Sequence, residues 1–245
     1  MNETRILEVK REIFADNTRE ADLFRAARKA DDTFMVDIMG SPGAGKTTLL
    51  IALIERLKNV DALNGKSAAP SLTADNIPLK VGVIEADLES DVDALKMKEA
   101  GIDSVELNTK GVCHVEMGMV EKAFDAFGDT KYDYLFLENI GNLVCPAEFD
   151  TGCHTRVMLL SVPEGYDKVY KYPPMFAVVD ALIVTKCDYL SLNPDFDMPA
   201  LKTAATALNP ALKVFEVSAR TGEGMDELAS WIKERHDEAM TADTD

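Results

Sequence analysis

The chain has 245 residues, with 43 acidic against 26 basic side chains and a formal net charge of −17. Such a charge repels phosphate backbones and anionic bilayers, so nucleic acid and membrane are not expected partners; a metal cation or a basic protein suits it better. The length fits one large α/β domain. No apolar run can span a bilayer, and the charged start MNETRILEVKREIF is unlike a signal peptide, so the expected location is cytoplasmic. Cys113, Cys145, Cys153 and Cys187 do not read as a disulfide scaffold, which leaves packing or metal binding as their use.

From the N-terminus, Ile6, Leu7, Ile13, Phe14, Leu23, Phe24 and Ala27 recur at helical spacing with an interruption near Asn17. This predicts one or two amphipathic helices over residues 1–30. The stretch FMVDIMGSPGAGKTTLL that follows reads as a buried strand, a glycine-rich turn and a helix start. Gly40, Gly45, Lys46 and Thr47 complete the phosphate-loop pattern. Backbone N–H groups through Gly40, Ser41, Gly43, Ala44 and Gly45, and on to Thr48, would face phosphate oxygens, and the helix dipole adds to that field. Lys46 would reach the β and γ phosphates and the Thr47 hydroxyl a magnesium ion. These residues predict a nucleoside triphosphate site on a P-loop NTPase fold: a mostly parallel sheet with helices on both faces.

Residues 61–78 lack periodicity and are expected to form a surface loop. The strand LKVGVIEAD ends at Asp87, at the sheet edge where ligands of open parallel sheets bind, so Asp87 is a candidate for magnesium; Glu89, Asp91 and Asp93 read as solvated acids at a helix start. A short strand SVELN leads to a loop with Cys113 and His114 and then to a helix. The hydrophobic strand YDYLFLEN ends in Glu138, with Gly141 just beyond, as in segments that sense a γ phosphate, which makes Glu138 a second magnesium-associated residue and Gly141 a point of backbone freedom. The strand ALIVTKCD places Lys186 and Asp188 at its end. A carboxylate there accepts from guanine N1–H and the 2-amino group, a donor pair adenine lacks, and so selects GTP. Ser218 and Ala219 follow the last strand and would meet the guanine carbonyl. A final helix carries Trp231 into the core, and residues 239–245 are expected to be a disordered tail.

The blocks GSPGAGKTTLL, VIEAD, CHVEMGMV, ENIGNLVCPAEFDTG, YPPMF and TKCD, spread from about Ile6 to Trp231, resemble the HypB family of GTPases that help insert nickel into [NiFe] hydrogenases. The related urease accessory GTPases match less well, because their Cys-Pro-His motif is missing. The resemblance implies a slow GTPase domain of the SIMIBI class over residues 31–238. Lys46, Thr47, Asp87 and Glu138 would form its phosphate and magnesium site, and Cys113, His114 and Cys145 its nickel or zinc ligands. It also implies a nucleotide-dependent homodimer that works with a maturation partner such as HypA and the hydrogenase large subunit. Thiolate and imidazole suit both metals. A GTP-dependent switch serving another metalloenzyme without nickel, and an ATP-driven protein of the same fold, are the rival readings.

The chain also departs from the family pattern. Glu116 and Met117 stand where Asp and Ala usually follow the Cys-His pair. Thr185 replaces an asparagine whose amide braces the phosphate loop, which implies a somewhat lower nucleotide affinity. Cys153 and His154 form a second adjacent pair, read either as further metal ligands or as exposed loop residues.

Overall fold

In the computed structural model, residues 3–59, 79–87, 92–109 and 111–242 are described. The run FMVDIMG forms β1 (Phe34–Gly40), and every one of its residues is buried. A strand apolar on both sides needs cover on both faces, as in a parallel sheet flanked by helices. β1 lies at the centre of a seven-stranded sheet of order β3-β2-β4-β1-β5-β6-β7. The other strands are β2 (Val81–Asp87), β3 (Asp103–Asn108), β4 (Tyr134–Gly141), β5 (Thr155–Ser161), β6 (Ala181–Thr185) and β7 (Lys213–Glu216). All neighbouring pairs run parallel. Every strand therefore ends at the same edge, and Gly40, Asp87, Gly141 and Thr185 arrive there together.

Among the described residues, and leaving aside the single turn Lys168–Lys171, the α-helices are α1 (Glu3–Ala30), α2 (Lys46–Leu57), α3 (Val92–Glu99), α4 (Met117–Asp125), α5 (Pro173–Val178), α6 (Met198–Leu208) and α7 (Met225–Thr241). Alternation along β1 divides the core. Phe34, Val36 and Ile38 pack with Leu50 and Leu53 of α2 and Leu228 and Ile232 of α7. Met35 joins Ala21 and Phe24 of α1 and Val120 of α4, while Met39 joins Met175, Phe176 and Leu201 under α5 and α6. Trp231 packs on Phe215, ring centroids 5.3 Å apart, as the amphipathic pattern of the last helix implies.

Of the one or two helices expected, the structure has one: α1 is continuous through Asn17, because the Asn17 side chain, which would favour a break in isolation, is engaged by distant backbone. Other expectations change. α7 continues to Thr241 with Ala239 and Met240 against the core, so any tail begins after it rather than at residue 239. The loop expected over 61–78 and the acids Glu89 and Asp91 lie outside the described residues.

Cys153 and His154 are not exposed, and among the described residues they are not part of a metal-ligand cluster. Cys153 is 3% exposed in the core beneath α1, and burial pushes its thiol well above the usual range. The Met35 backbone N–H donates to His154 Nδ1 at 3.0 Å, and the His154 backbone N–H donates to the Met35 carbonyl at 2.9 Å. Met35 lies at the start of β1, whereas the ligand edge lies at its end, about 17 Å along a strand. The His154 ring also stacks on Phe34 at 5.4 Å.

Burial lowers the His154 pKa to about 4 from the ordinary 6.5. The unfolded chain therefore accepts a proton between those values that the folded chain refuses, and stability is lost as pH falls through that window. In urea melts, the stability of the native protein relative to His154→Asn should fall by about 2 kcal/mol between pH 7 and pH 5. A pH-independent difference would mean that His154 is not held neutral.

Candidate functional site

Between β1 and α2 the chain turns through Gly43 (φ 77°) and Gly45 (φ 95°), left-handed values that a Cβ would strain. α2 starts directly on Gly45, with no side-chain cap and no acid in its first turn, so its first N–H groups and positive dipole end face the loop. Lys46 is 9% exposed, and its Nζ lies 3.5 Å from the Gly40 and Ser41 carbonyls. The Thr47 hydroxyl donates to Glu138 Oε1 at 2.9 Å, both residues buried. A hydroxyl and a carboxylate at a phosphate loop are the oxygen donors a magnesium ion takes. Asp87 ends β2 at the same edge, its backbone abreast of Asn108. Glu85, which the sequence reading passed over, is buried and lies directly beside Glu138 in the β2–β4 register.

Strand ends on either side hold the loop. Thr185 donates from Oγ1 to the Ala44 carbonyl at 2.7 Å, and Lys186 Nζ donates to the Gly43 carbonyl at 2.7 Å. Thr185 thus supplies the brace that its replacement of asparagine was expected to remove. A Cβ on Gly141 would lie 2.7 Å from Pro42, so glycine is needed there for close approach rather than for freedom of movement. Beside the loop opens a cavity of about 210 Å³, lined by Ala44, Gly45, Thr48, Leu49, Thr185, Lys186, Asp188, Ser218 and Ala219 together with Tyr189 and Arg220. Asp188 is aimed by Ser218, whose hydroxyl donates to Oδ1 at 2.8 Å. The apolar lining and a single oriented carboxylate suit a flat base with two adjacent donors. Cys187 plays no part in this cavity: it is buried, and burial raises its thiol to about 12.

A second cluster forms where β4 leaves the sheet. Cys113, His114 and Cys145 bring their ligand atoms within 4.8 Å of one another. The two sulfurs are 3.1 Å apart, and this shared hydrogen bond is the main cause that raises the Cys113 thiol. His114 stacks on Phe149 at 3.9 Å, and its Nε2 lies 3.1 Å from Glu116 Oε1. Two sulfurs and an imidazole in reach of one point suit a borderline soft ion such as nickel or zinc.

The two clusters share one segment. Gly40 of the phosphate loop pairs with Asn142 in an isolated antiparallel bridge. The Asn142 amide donates to the Cys113 carbonyl at 2.9 Å, while its oxygen accepts from Val144 N–H at 2.9 Å. On the opposite face from Glu138, Asn139 donates to both oxygens of Asp37 at 3.0 and 3.2 Å and accepts from Ile140 N–H at 2.8 Å. Thr151 donates to the same carboxylate at 2.8 Å. Burial raises Asp37 to about 6, against the pull of those hydrogen bonds. None of Asp37, Asn139, Asn142 or Thr151 stood out as a site residue in the sequence. The available signal was an acid in the middle of an otherwise apolar strand.

Residues 34–216 match the nucleotide-binding domain family described as CobW/HypB/UreG. A hydrogenase maturation factor HypB from Azotobacter chroococcum is 38% identical over 245 residues, 100% of this chain and 74% of the relative. The crystal structure of HypB from Helicobacter pylori in complex with nickel superposes with a TM-score of 0.79 at 30% identity, covering 94% of this chain and 99% of that one. HypB from Archaeoglobus fulgidus gives a TM-score of 0.76 at 32% identity over 91% and 99%.

Removing the hydroxyl brace with Thr185→Val should lower stability by about 1 kcal/mol in urea melts, through the hydrogen bond lost by the Ala44 carbonyl. An unchanged midpoint would show that Thr185 does not brace the loop.

Proposed function

Because the chain belongs to the CobW/HypB/UreG family and within it to HypB, we propose that it is a GTP-hydrolysing metallochaperone that binds nickel and assists its insertion into a [NiFe] hydrogenase. The observation that carries this reading is the sharing of residues 138–145 between the two clusters. Glu138 meets Thr47 on the phosphate side, and Asn142 and Cys145 stand on the metal side.

On this reading Asp188 accepts the two guanine donors, Ser218 holds it in place, and Ala219 offers its backbone to the guanine carbonyl. Lys186 lays its methylenes along the base. The phosphate-loop N–H groups from Gly40 to Thr48 and the Lys46 ammonium balance phosphate charge. Magnesium, when bound, supplies further charge neutralisation across the β and γ phosphates; Thr47, Glu138 and Asp87 are the residues that would hold it. No side chain of the kind that orients the attacking water was identified in the sequence, so intrinsic turnover is slow and rises with dimerisation or a partner. Nickel, or zinc in its place, is cargo for Cys113, His114 and Cys145. A nucleotide-dependent homodimer and delivery to a maturation partner such as HypA and the hydrogenase large subunit complete the proposal.

Equilibrium competition against labelled GTP tests the guanine site together with nickel titration of the same protein. GTP should compete and ATP should not, and Asp188→Asn should reduce the preference on the order of 100-fold. The protein should bind nickel through Cys113 and Cys145. Effective competition by ATP would overturn the GTPase assignment, and GTP-dependent dimerisation without micromolar nickel binding would leave a switch that does not carry the metal.

A further inference from the structure

The proposed nickel ligands come from two segments far apart in sequence: Cys113 and His114 precede α4, and Cys145 follows β4. Ligands on separate segments keep a fixed geometry only if the segments are tied together, since each is otherwise free to open. The stacking of Phe149 on His114 is one such tie, and it lies inside the cluster itself.

A second tie comes from outside the matched domain. Asn17, in the middle of α1, is 8% exposed. Its Nδ2 donates to the Asp150 carbonyl at 2.9 Å, at the end of the segment carrying Cys145 and Phe149. Its Oδ1 accepts from the Met117 N–H at 3.2 Å, at the end of the segment carrying Cys113 and His114. One amide thereby joins the two segments. Eight residues on, two turns along the same helix, Arg25 Nη2 reaches both oxygens of Asp150 at 2.6 and 2.8 Å, and its Nε donates to the Cys153 carbonyl at 3.0 Å. α1 sits directly on this junction: a Cβ on Gly152 would lie 2.8 Å from Phe24 and 3.0 Å from Met117 Sδ. Ala21 and Phe24 are both buried there.

We infer that α1 is a clamp for the metal site, and that Asn17 is the positioning residue that fixes the Cys113–His114 segment against the Cys145 segment. The inference rests on the reading of Cys113, His114 and Cys145 as nickel ligands. Groups that orient ligands without touching the metal commonly account for 10–100-fold in affinity. Asn17 touches nothing at the phosphate loop or in the guanine cavity, so its loss should act on the metal and leave the nucleotide alone.

Asn17→Asp separates the two bonds. It keeps an acceptor for Met117 N–H but turns a carboxylate oxygen toward the Asp150 carbonyl in place of a donor. Asn17→Leu removes both bonds while keeping four side-chain heavy atoms branched at Cγ, and Leu23→Ala, at a position 67% exposed on the same helix, serves as control. The measurements are nickel dissociation constants, the thiolate-to-nickel charge-transfer absorption, and GTP affinity on the full chain. Both Asn17 variants should bind nickel roughly tenfold more weakly with an altered absorption band, while Leu23→Ala and GTP affinity stay unchanged. Native nickel affinity and absorption in both variants, with binding still lost in Cys113→Ala and Cys145→Ala, would overturn the clamp and leave the metal reading standing. Equal losses of GTP and nickel would mark general damage to the fold and also overturn it. Nickel binding by the native protein that ignores Cys113 and Cys145 would sink the underlying reading and the clamp with it.

Discussion

The alternation of side chains at the end of β4 is the constraint on which the rest of the site depends. Consecutive residues of a strand point to opposite faces. Glu138 therefore meets Thr47 at the start of α2, while Asn139 meets Asp37 on the face covered by α1. The same few residues then run past Pro42, where Gly141 allows close approach, to Asn142 and its hold on Cys113. A change in what the phosphate loop contains cannot be confined to one side of the sheet if it moves Glu138. Up to Glu138 the strand is packed on both faces and held in register by parallel neighbours on both sides; beyond it the pairing with β1 shifts before Gly40 meets Gly141.

Buried polarity gives this junction its definition. A fully buried carboxylate such as Asp37 carries a large desolvation cost, and the raised pKa is the sign of it. Asn139 and Thr151 offset part of that cost, and in doing so they fix the end of β4 and the chain beyond Cys145 to one atom group on the central strand. α1 adds Asn17 and Arg25 from the outside, so the junction is held from the core and from the surface at once. Such networks specify one arrangement when each member is satisfied, which is what a coordination site built from two loops requires.

Much of this was legible in the sequence. The parallel sheet followed from buried strands such as FMVDIMG, the phosphate loop from its glycine spacing and the strand and helix around it, and the position of Lys186 and Asp188 beside that loop from the apolar strand ALIVT before them. What was not legible depends on through-space geometry. Thr185 read as a loss because an asparagine was expected, yet its hydroxyl reaches the Ala44 carbonyl. Cys153 and His154 read either as further metal ligands or as exposed loop residues, because adjacency in sequence does not say which way each side chain turns. Instead, Cys153 enters the core beneath α1 while His154 bonds to the start of β1, far from the ligand edge. Whether one helix or two ran through Asn17 stayed open, since propensity carries no information about the Asp150 and Met117 backbone it bonds to.

The central claim is that the nucleotide and metal sites are mechanically joined through residues 138–145. The most direct test is the nickel dissociation constant of the full chain, with its charge-transfer absorption, saturated first with GDP and then with a non-hydrolysable GTP analogue. Joined sites predict nickel affinities that differ by about tenfold between the two states, with a shift in the absorption band. Identical affinities and identical spectra would contradict the account.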